Sequence, residues 1–329
     1  MSVLVTGGAG YIGSHMVLEL LAQGEQVVVL DDLSTGFRWA VDPRATFIEG
    51  DVADGHSVER LLHEHRVESI IHFAAKIVVP DSVADPLRYY LANTVKTRAL
   101  LEAAVRAGVK HFVFSSTAAV YGNPPVNPVS EDVVPNPMSP YGRSKLMSEW
   151  MLADTAFAHP LSYVVLRYFN VAGADPEGRT GQSTPDATHL IKVAVQTALG
   201  QRPKLNVFGT DYETRDGTCV RDYIQVSDLV AAHTCALRHL RGGGESLTLN
   251  CGYGQGYSVL DVIESVKRVS GVDFAVEYVD RRAGDPAKIV AQADRIRRQL
   301  NWIPQFDDLD TIVRQALTWE RGLLEKRVA

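Results

Sequence analysis

The sequence predicts a Rossmann-type α/β fold, a doubly wound parallel sheet, followed by a smaller, mixed α/β C-terminal half. Three observations carry this expectation. Short β-branched runs alternate with longer helical patterns through the first half. Most of these runs are continuously apolar rather than alternating, as strands covered on both faces must be. A glycine-rich string also sits between the first run and the first helical pattern. Strand–helix alternation with short connections implies a parallel sheet with right-handed crossovers.

Taken in order, the predicted strands are Val3–Thr6, Gln26–Leu30, Thr46–Glu49, Ser69–Phe73, His111–Ser115 and Ser162–Tyr168. Amphipathic stretches between them, Tyr11–Gln23, Val58–Glu64 and Arg88–Ala107, predict helices, with Gly24 and Gly108 placed to end two of them. A longer stretch runs from Tyr141 to His159, where Pro160 stops it. After about Asn170 the rhythm breaks into the Gly-, Asp- and Pro-rich segment Val171–Pro185, a helix near His189, and turn clusters at Gly209–Gly217 and Gly242–Gly244. The expected division is residues 1–170, a nucleotide-binding half, and 171–329, a smaller and less regular half that supplies substrate contacts, some of whose segments return to the first.

The chain has 329 residues, 46% of them apolar, and a net charge of −6. A mildly acidic chain with no run of Lys or Arg excludes a dedicated nucleic-acid or anionic-membrane binder. No window approaches the ~18 consecutive apolar residues of a membrane span, and the N-terminus has no basic segment ahead of a cleavable apolar stretch. Cys219, Cys235 and Cys251 form no C-x-x-C pair, so they read as small apolar residues rather than a disulfide framework or zinc site. His63-Glu64-His65 lacks the i, i+4 spacing of a metal pair and reads as an exposed helix end. Trp302 and Trp319 read as core aromatics. The expectation is a cytoplasmic, compact protein without a metal site.

Thr6-Gly7-Gly8-Ala9-Gly10-Tyr11-Ile12-Gly13 places glycines at Gly7, Gly10 and Gly13 of the first strand-to-helix turn. Glycine permits a tight turn and close approach of the backbone to a pyrophosphate, and the following helix aims its amides and positive dipole end at that charge. The second strand ends in Asp31-Asp32, 18 residues beyond Gly13. A carboxylate there accepts from ribose hydroxyls and repels a 2′-phosphate, which favours NAD over NADP, with the nearby Arg38 tempering that preference. Asp51 reads equally as an adenine contact or as a turn-forming residue.

Tyr141 and Lys145 are i, i+4 on a predicted helix and so share one face. A lysine's positive charge, reinforced by a nicotinamide cation, lowers a phenol's pKa so that tyrosinate acts as a base near neutral pH. Thr117 closes the preceding strand, at the carboxyl edge where open α/β sheets bind ligands.

On these residues the chain resembles the extended short-chain dehydrogenase/reductase family, over essentially its whole length. Further matching blocks are His72-Phe73-Ala74-Ala75, Ala119-Val120-Tyr121-Gly122, Ser139-Pro140-Tyr141 and Tyr168-Phe169-Asn170-Val171-Ala172-Gly173. The second half adds Asp216-Gly217-Thr218, Val220-Arg221-Asp222-Tyr223-Ile224, Arg282-Ala283-Gly284-Asp285 and Leu300-Asn301-Trp302. The resemblance implies an NAD-dependent 4-epimerase of UDP-sugars, interconverting UDP-glucose and UDP-galactose through a 4-keto intermediate. It implies Tyr141 as base, Thr117 as its partner on the sugar 4-oxygen, and Lys145 as the group that tunes the tyrosine and holds the nicotinamide ribose. It extends the cofactor contacts to Tyr11, Ile12, Val52, Phe73, Ala74, Ala75, Asn93, Ser115 and Tyr168. It places Asn170, His189, Leu190, Asn206, Phe208, Arg221, Tyr223, Arg282 and Asp285 on the sugar nucleotide, although Arg221 and Arg282 also read as surface ion-pair partners of neighbouring acids. A homodimer is implied as well, through the Arg88–Ala107 and Tyr141–His159 helices.

The chain departs from the family pattern at three places. Ile77 stands where a lysine is often found on the pyrophosphate, with Lys76 one residue earlier. His189 replaces a frequent asparagine and reads first as a helix cap. Ile289 occupies the position thought to gate N-acetylated sugars, which leaves UDP-N-acetylhexosamines neither excluded nor assured, and UDP-pentoses and UDP-uronates stay open. Dehydratases and decarboxylases of the same superfamily carry acids just after the catalytic threonine. Ala118 and Ala119 stand there, so elimination lacks its acid and base. A non-catalytic NAD(H)-sensing regulator is the other class of reading, opposed by the presence of both Tyr141 and Lys145.

Overall fold

A computed structural model describes residues 2–185, 187–282 and 284–328. The strands are β1 (Ser2–Thr6), β2 (Gln26–Asp31), β3 (Thr46–Glu49), β4 (Val67–His72), β5 (His111–Thr117), β6 (Ser162–Tyr168), β7 (Asn170–Ala172), β8 (Leu205–Phe208), β9 (Val220–Gln225), β10 (Leu247–Cys251), β11 (Gly256–Ser258), β12 (Val276–Val279) and β13 (Lys288–Ile289). The helices are α1 (Tyr11–Ala22), α2 (Gly55–Glu64), α3 (Val79–Ala84), α4 (Pro86–Tyr89), α5 (Lys96–Arg106), α6 (Pro140–Ala158), α7 (Leu190–Ala198), α8 (Val226–Arg241), α9 (Val259–Ser270), α10 (Asp294–Leu300) and α11 (Leu309–Val328).

Seven parallel strands form the main sheet in the order β10-β6-β5-β4-β1-β2-β3. All five residues of β1 are buried, which is why that run is apolar without alternation. Val3, Val5, Val29 and Met16 join the core on the α1/α8 face, and Leu4, Val28, Leu61 and Leu100 join the core on the α2/α5 face. The chain steps outward from β1 to β3, then returns to β4 on the other side of β1. That reversal is a topological switch point, where open α/β sheets leave a crevice at the strands' carboxyl ends. The second half supplies β10 to this sheet and packs α8 against α1, β5 and β6. Its own strands form a small sheet around β9, bonded to β7, β11 and β13, and a β8–β12 pair.

Two predicted helices are corrected. The Arg88–Ala107 stretch is not one α-helix. Asp85 caps α4 by accepting from Arg88 N at 3.2 Å, residues Tyr90–Val95 form a wider π-helical turn, and α5 follows. A periodicity near 3.6 does not register the extra residue of a π turn, and such turns gather at functional sites. Helix α2 starts at Gly55, ahead of Val58, because Asp54 accepts from Ser57 N at 3.1 Å. Gly24 and Gly108 do follow α1 and α5 in left-handed conformation, with φ of 79° and 72°.

Trp302 and Trp319 are buried, as are Cys219 and Cys251, while Cys235 is half-buried and all three thiols are free. Among the described residues no helix is long and apolar enough to cross a membrane.

Candidate active site

The glycine turn joins β1 to α1 beside the end of β4. Gly7 has φ 71°, and a Cβ there would lie 2.7 Å from Ala74 N. At Gly13 a Cβ would lie 2.1 Å from the Gly7 carbonyl oxygen. These two positions therefore need glycine for backbone shape and for contact between the two turns. No side chain caps α1, and its first turn holds no acid, so the amides at Tyr11, Ile12 and Gly13 face outward for an anion. Asp31 is buried at the end of β2, with its carboxylate accepting from Ala9 N at 2.9 Å and Leu33 N at 2.8 Å. Burial pushes its pKa up against those two bonds. The uncapped helix, the cradle a Cβ would fill and the carboxylate beyond it fit a dinucleotide.

Tyr141, Lys145 and Glu149 share the buried face of α6, whose N-terminus is set by Ser139 accepting from Gly142 N at 3.1 Å. Thr117 ends β5 opposite them. Its hydroxyl lies against the Tyr141 phenol and accepts from Ala119 N at 3.1 Å. Burial pushes Tyr141 up to about 12, with Thr117 opposing. Burial pulls Lys145 down to about 7, and the Glu149 carboxylate opposes that fall. The Lys145 ammonium donates to the Ser115 carbonyl at 2.9 Å and sits 4.9 Å from the Phe114 ring centre.

The cofactor-side positions divide. Phe73, Ala74 and Ala75 follow β4 alongside the glycine turn, with Phe73 N donating to Thr6 O at 3.0 Å. Tyr11 is tied through its hydroxyl to Gly173 O at 2.7 Å. Ile12 sits half-buried in the first turn of α1, while Val52 belongs to the core beneath β3. Tyr168, at the end of β6, lies beside Ser115 and Tyr141. Asn93 is buried in the π turn. Its amide nitrogen donates to Lys76 O at 2.9 Å and Ser144 Oγ at 3.0 Å, and its oxygen accepts from Lys76 N at 2.8 Å. Asn93 thus pins the loop after β4 to α6, with one lone pair of Oδ1 left over. Asp51 forms a turn, accepting from Ala53 N at 2.9 Å, and pairs with Lys96 at 2.5 Å. Arg38 stacks over Phe47, 4.5 Å from its centre.

On the other side of the cleft, Asn170, His189, Leu190 and Tyr223 line one cavity with the buried Lys192–Glu320 pair. His189 stands at the N-cap position of α7 but makes no side-chain cap. Its Nδ1 instead meets Gln182 Nε2 at 2.8 Å, because the imidazole turns into the cavity wall. Phe208 ends β8 under the Arg282 guanidinium, 3.6 Å above its ring, while Asn206 is exposed on the same strand. Arg221 donates to Pro286 O at 2.8 Å and lies 3.9 Å from Asp285, so an ion pair with a neighbouring acid is present but loose. Ala283 lies outside the described residues. Ile289 is buried in β13 beside Arg221.

Residues 3–252 match the NAD dependent epimerase/dehydratase family. The chain belongs to that family. A UDP-glucose 4-epimerase of Azospirillum brasilense is 57% identical over 321 residues, 98% of this chain and 92% of the relative. Among solved structures, UDP-glucose 4-epimerase from Brucella ovis in complex with NAD superposes with a TM-score of 0.94 at 44% identity, covering 96% of this chain and 97% of that one. UDP-glucose-4-epimerase from Stenotrophomonas maltophila, with bound NAD and formylated UDP-arabinopyranose, gives 0.96 at 41% identity, with both chains fully covered. The chain is an NAD-dependent epimerase with the extended short-chain dehydrogenase/reductase fold.

Two buried groups behind this epimerase site escaped the sequence reading. Glu149 accepts from Arg167 Nη2 at 2.6 Å and from Ser116, and Arg167 donates on to the Tyr121 hydroxyl at 3.0 Å. Glu149 was in reach of the sequence, four residues beyond Lys145 on the same face. His72 bridges Thr6 at 2.6 Å and Thr97 at 3.0 Å, linking β1 to the helix that follows the π turn. No sequence spacing marks that bridge.

Proposed function

We propose that the protein interconverts UDP-glucose and UDP-galactose by reversible oxidation at the sugar C4. The observation that carries this reading is Tyr141 facing Thr117 across the cleft, with Lys145 one turn further along α6 and only Ala118 and Ala119 after the threonine. That set removes and returns one proton and has no acid or base for elimination. The relatives' substrate, UDP-glucose, supports the same choice.

When bound, NAD⁺ would supply the hydride acceptor and donor for reversible oxidation at the sugar C4. Gly7, Gly10 and Gly13 with the α1 amides would hold its pyrophosphate, Asp31 its ribose, and Phe73, Ala74, Ala75, Asn93, Ser115 and Tyr168 its remaining contacts. Tyr141 accepts the 4-hydroxyl proton as the C4–H bond breaks, and Thr117 donates to the same oxygen. Tyr141 returns the proton to the 4-oxygen as the ketone is reduced, so each turnover restores the starting state. Lys145 moves its charge toward the phenol to stabilise tyrosinate. Asn170, Leu190 and Tyr223, with Arg221, Arg282 and Asp285, hold the UDP moiety, Arg282 and Phe208 presenting a flat face to the base.

The deciding assay uses purified protein, UDP-galactose and no added NAD, with UDP-glucose read by UDP-glucose dehydrogenase after heat-stopping. Steady product is expected. No product from protein that releases NAD on denaturation would move the substrate to a UDP-N-acetylhexosamine, UDP-pentose or UDP-uronate, and absence of both would favour a regulator. We assign residues 1–170 to the cofactor half and 171–329 to the sugar-nucleotide half, with β10 and α8 of the latter returning to the first, and a second copy to the exposed face of α6.

A further inference from the structure

His233 lies on α8, outside every motif used above, and its side chain is fully buried. Its Nδ1 faces the Leu229 carbonyl at 2.9 Å. A carbonyl only accepts, so Nδ1 carries the proton, and in the neutral ring Nε2 is an acceptor. Ser115 Oγ lies 3.1 Å from Nε2 and is therefore the donor. Burial in this apolar wall lowers the imidazole to about 4, which keeps it neutral at working pH. Having given its proton to His233, the Ser115 oxygen turns only lone pairs toward the Tyr168 phenol beside it. The same ring packs 4.9 Å from Phe73 and 6.3 Å from Tyr168 between centres. One imidazole thus backs three residues of the cofactor wall.

We propose that His233 is a positioning residue: fixed as its Nδ1–H tautomer, it orients the Ser115 hydroxyl and, through it, the Tyr168 phenol, so that Tyr168 turns only lone pairs toward the cofactor. The proposal rests on the reading that Phe73, Ser115 and Tyr168 line the cofactor pocket. The bonded donors run one way, from Ser115 to His233 to the Leu229 carbonyl, and the Tyr168 phenol lies beside the Ser115 end. Removing the His233 acceptor leaves the buried Ser115 hydroxyl without its partner and frees both hydroxyls to reverse.

¹⁵N-histidine NMR of the native holoenzyme, with His233 assigned from the His233→Gln spectrum, is expected to show protonated Nδ1 and bare Nε2. The opposite tautomer or an imidazolium overturns the proposal. His233→Phe keeps the ring but removes the acceptor. Its bound NAD(H), followed by filtration and release on denaturation, is expected to dissociate about tenfold faster, with kcat lowered and KM for the sugar nucleotide unchanged. His233→Gln restores a carbonyl acceptor and should recover most of the retention, which a purely structural role for the ring would not produce. In a Ser115→Ala background, His233→Phe should add nothing, and an additive effect overturns the proposal. Should the Phe variant not fold, the tautomer and the Gln variant decide. Unchanged NAD retention in both Ser115→Ala and Tyr168→Phe would instead defeat the cofactor-wall reading, whatever the tautomer.

Discussion

Single residues carry the chemistry here, and their environments set its terms. Burial holds Tyr141 near 12, so the phenol must be ionised by approaching positive charge before it can accept the sugar's 4-hydroxyl proton. Lys145 is the nearby cationic group, brought to about 7 by the same burial. Tyr141→Phe removes the proton acceptor and should lower kcat by ~10²–10⁴ with NAD content unchanged, on the scale of lost general-base catalysis. A native turnover rate in that variant would remove Tyr141 from the mechanism. Buried imidazoles make a second prediction. His72, His15 and His233 are lowered by burial to about 3, 4 and 4. Between pH 6.5 and 4 the unfolded chain binds protons at these sites that the native chain refuses. Stability is therefore fully present above pH 6.5 and lost as the pH falls, by up to ~1.4 kcal/mol per pH unit for each such histidine. Melting temperature measured across this range should fall steadily, and more gently in His15→Gln. An identical slope in His15→Gln would show that the His15 ring contributes nothing to this loss.

At the scale of elements, how much could be read in advance follows from how local each cause is. The glycine turn was legible because its requirement lies within seven residues of chain: the left-handed Gly7 and the contact of Gly13 with the Gly7 carbonyl belong to one turn. A methyl group at Gly13 meets backbone rather than a yielding side chain. Gly13→Ala should therefore part α1 from β1 and abolish copurifying NAD, measured by release on denaturation, and full NAD content would contradict that packing. The face shared by Tyr141 and Lys145 was legible for the same reason, since helix periodicity alone aligns them. The π turn at Tyr90–Val95 was not, because the partners of Asn93 lie at Lys76 and Ser144, far away in sequence. His233 was hidden more deeply still. On α8 it occupies an apolar stripe, and only the folding of that helix onto β5 brings it to Ser115. The His189 cap failed because N-cap position and N-cap bonding are separate facts, and the imidazole found Gln182 first.

For the whole molecule, the two faces of α6 make opposite demands. One face buries Tyr141, Lys145, Glu149 and Leu152 against the sheet, and the other leaves Met147, Trp150 and Phe157 exposed, Phe157 to 95%. Leu87, Leu91 and Val95, spaced i, i+4, i+8 along α4 and the π turn, are exposed as well. These residues belong to packed neighbours, since α6 contacts both α4 and the π turn. A monomer seldom leaves large apolar side chains clustered on adjoining helices in water, because each costs about 1.5–3 kcal/mol of unrealised burial. A second copy of the same face would answer both sets at once, through the self-complementary contact of a two-fold dimer. Sedimentation or light scattering at micromolar concentration should therefore report a dimer. Trp150→Glu combined with Leu91→Glu should convert it to a monomer with a lower melting temperature. Catalysis should suffer less than assembly, because Lys145 is held from within by Ser115, and Asn93 and Ser144 tie the loop after β4 to α6 without any exposed partner. If the native protein were monomeric at these concentrations, the exposed stripe would need another occupant, and the link between assembly and the catalytic helix would fall with it.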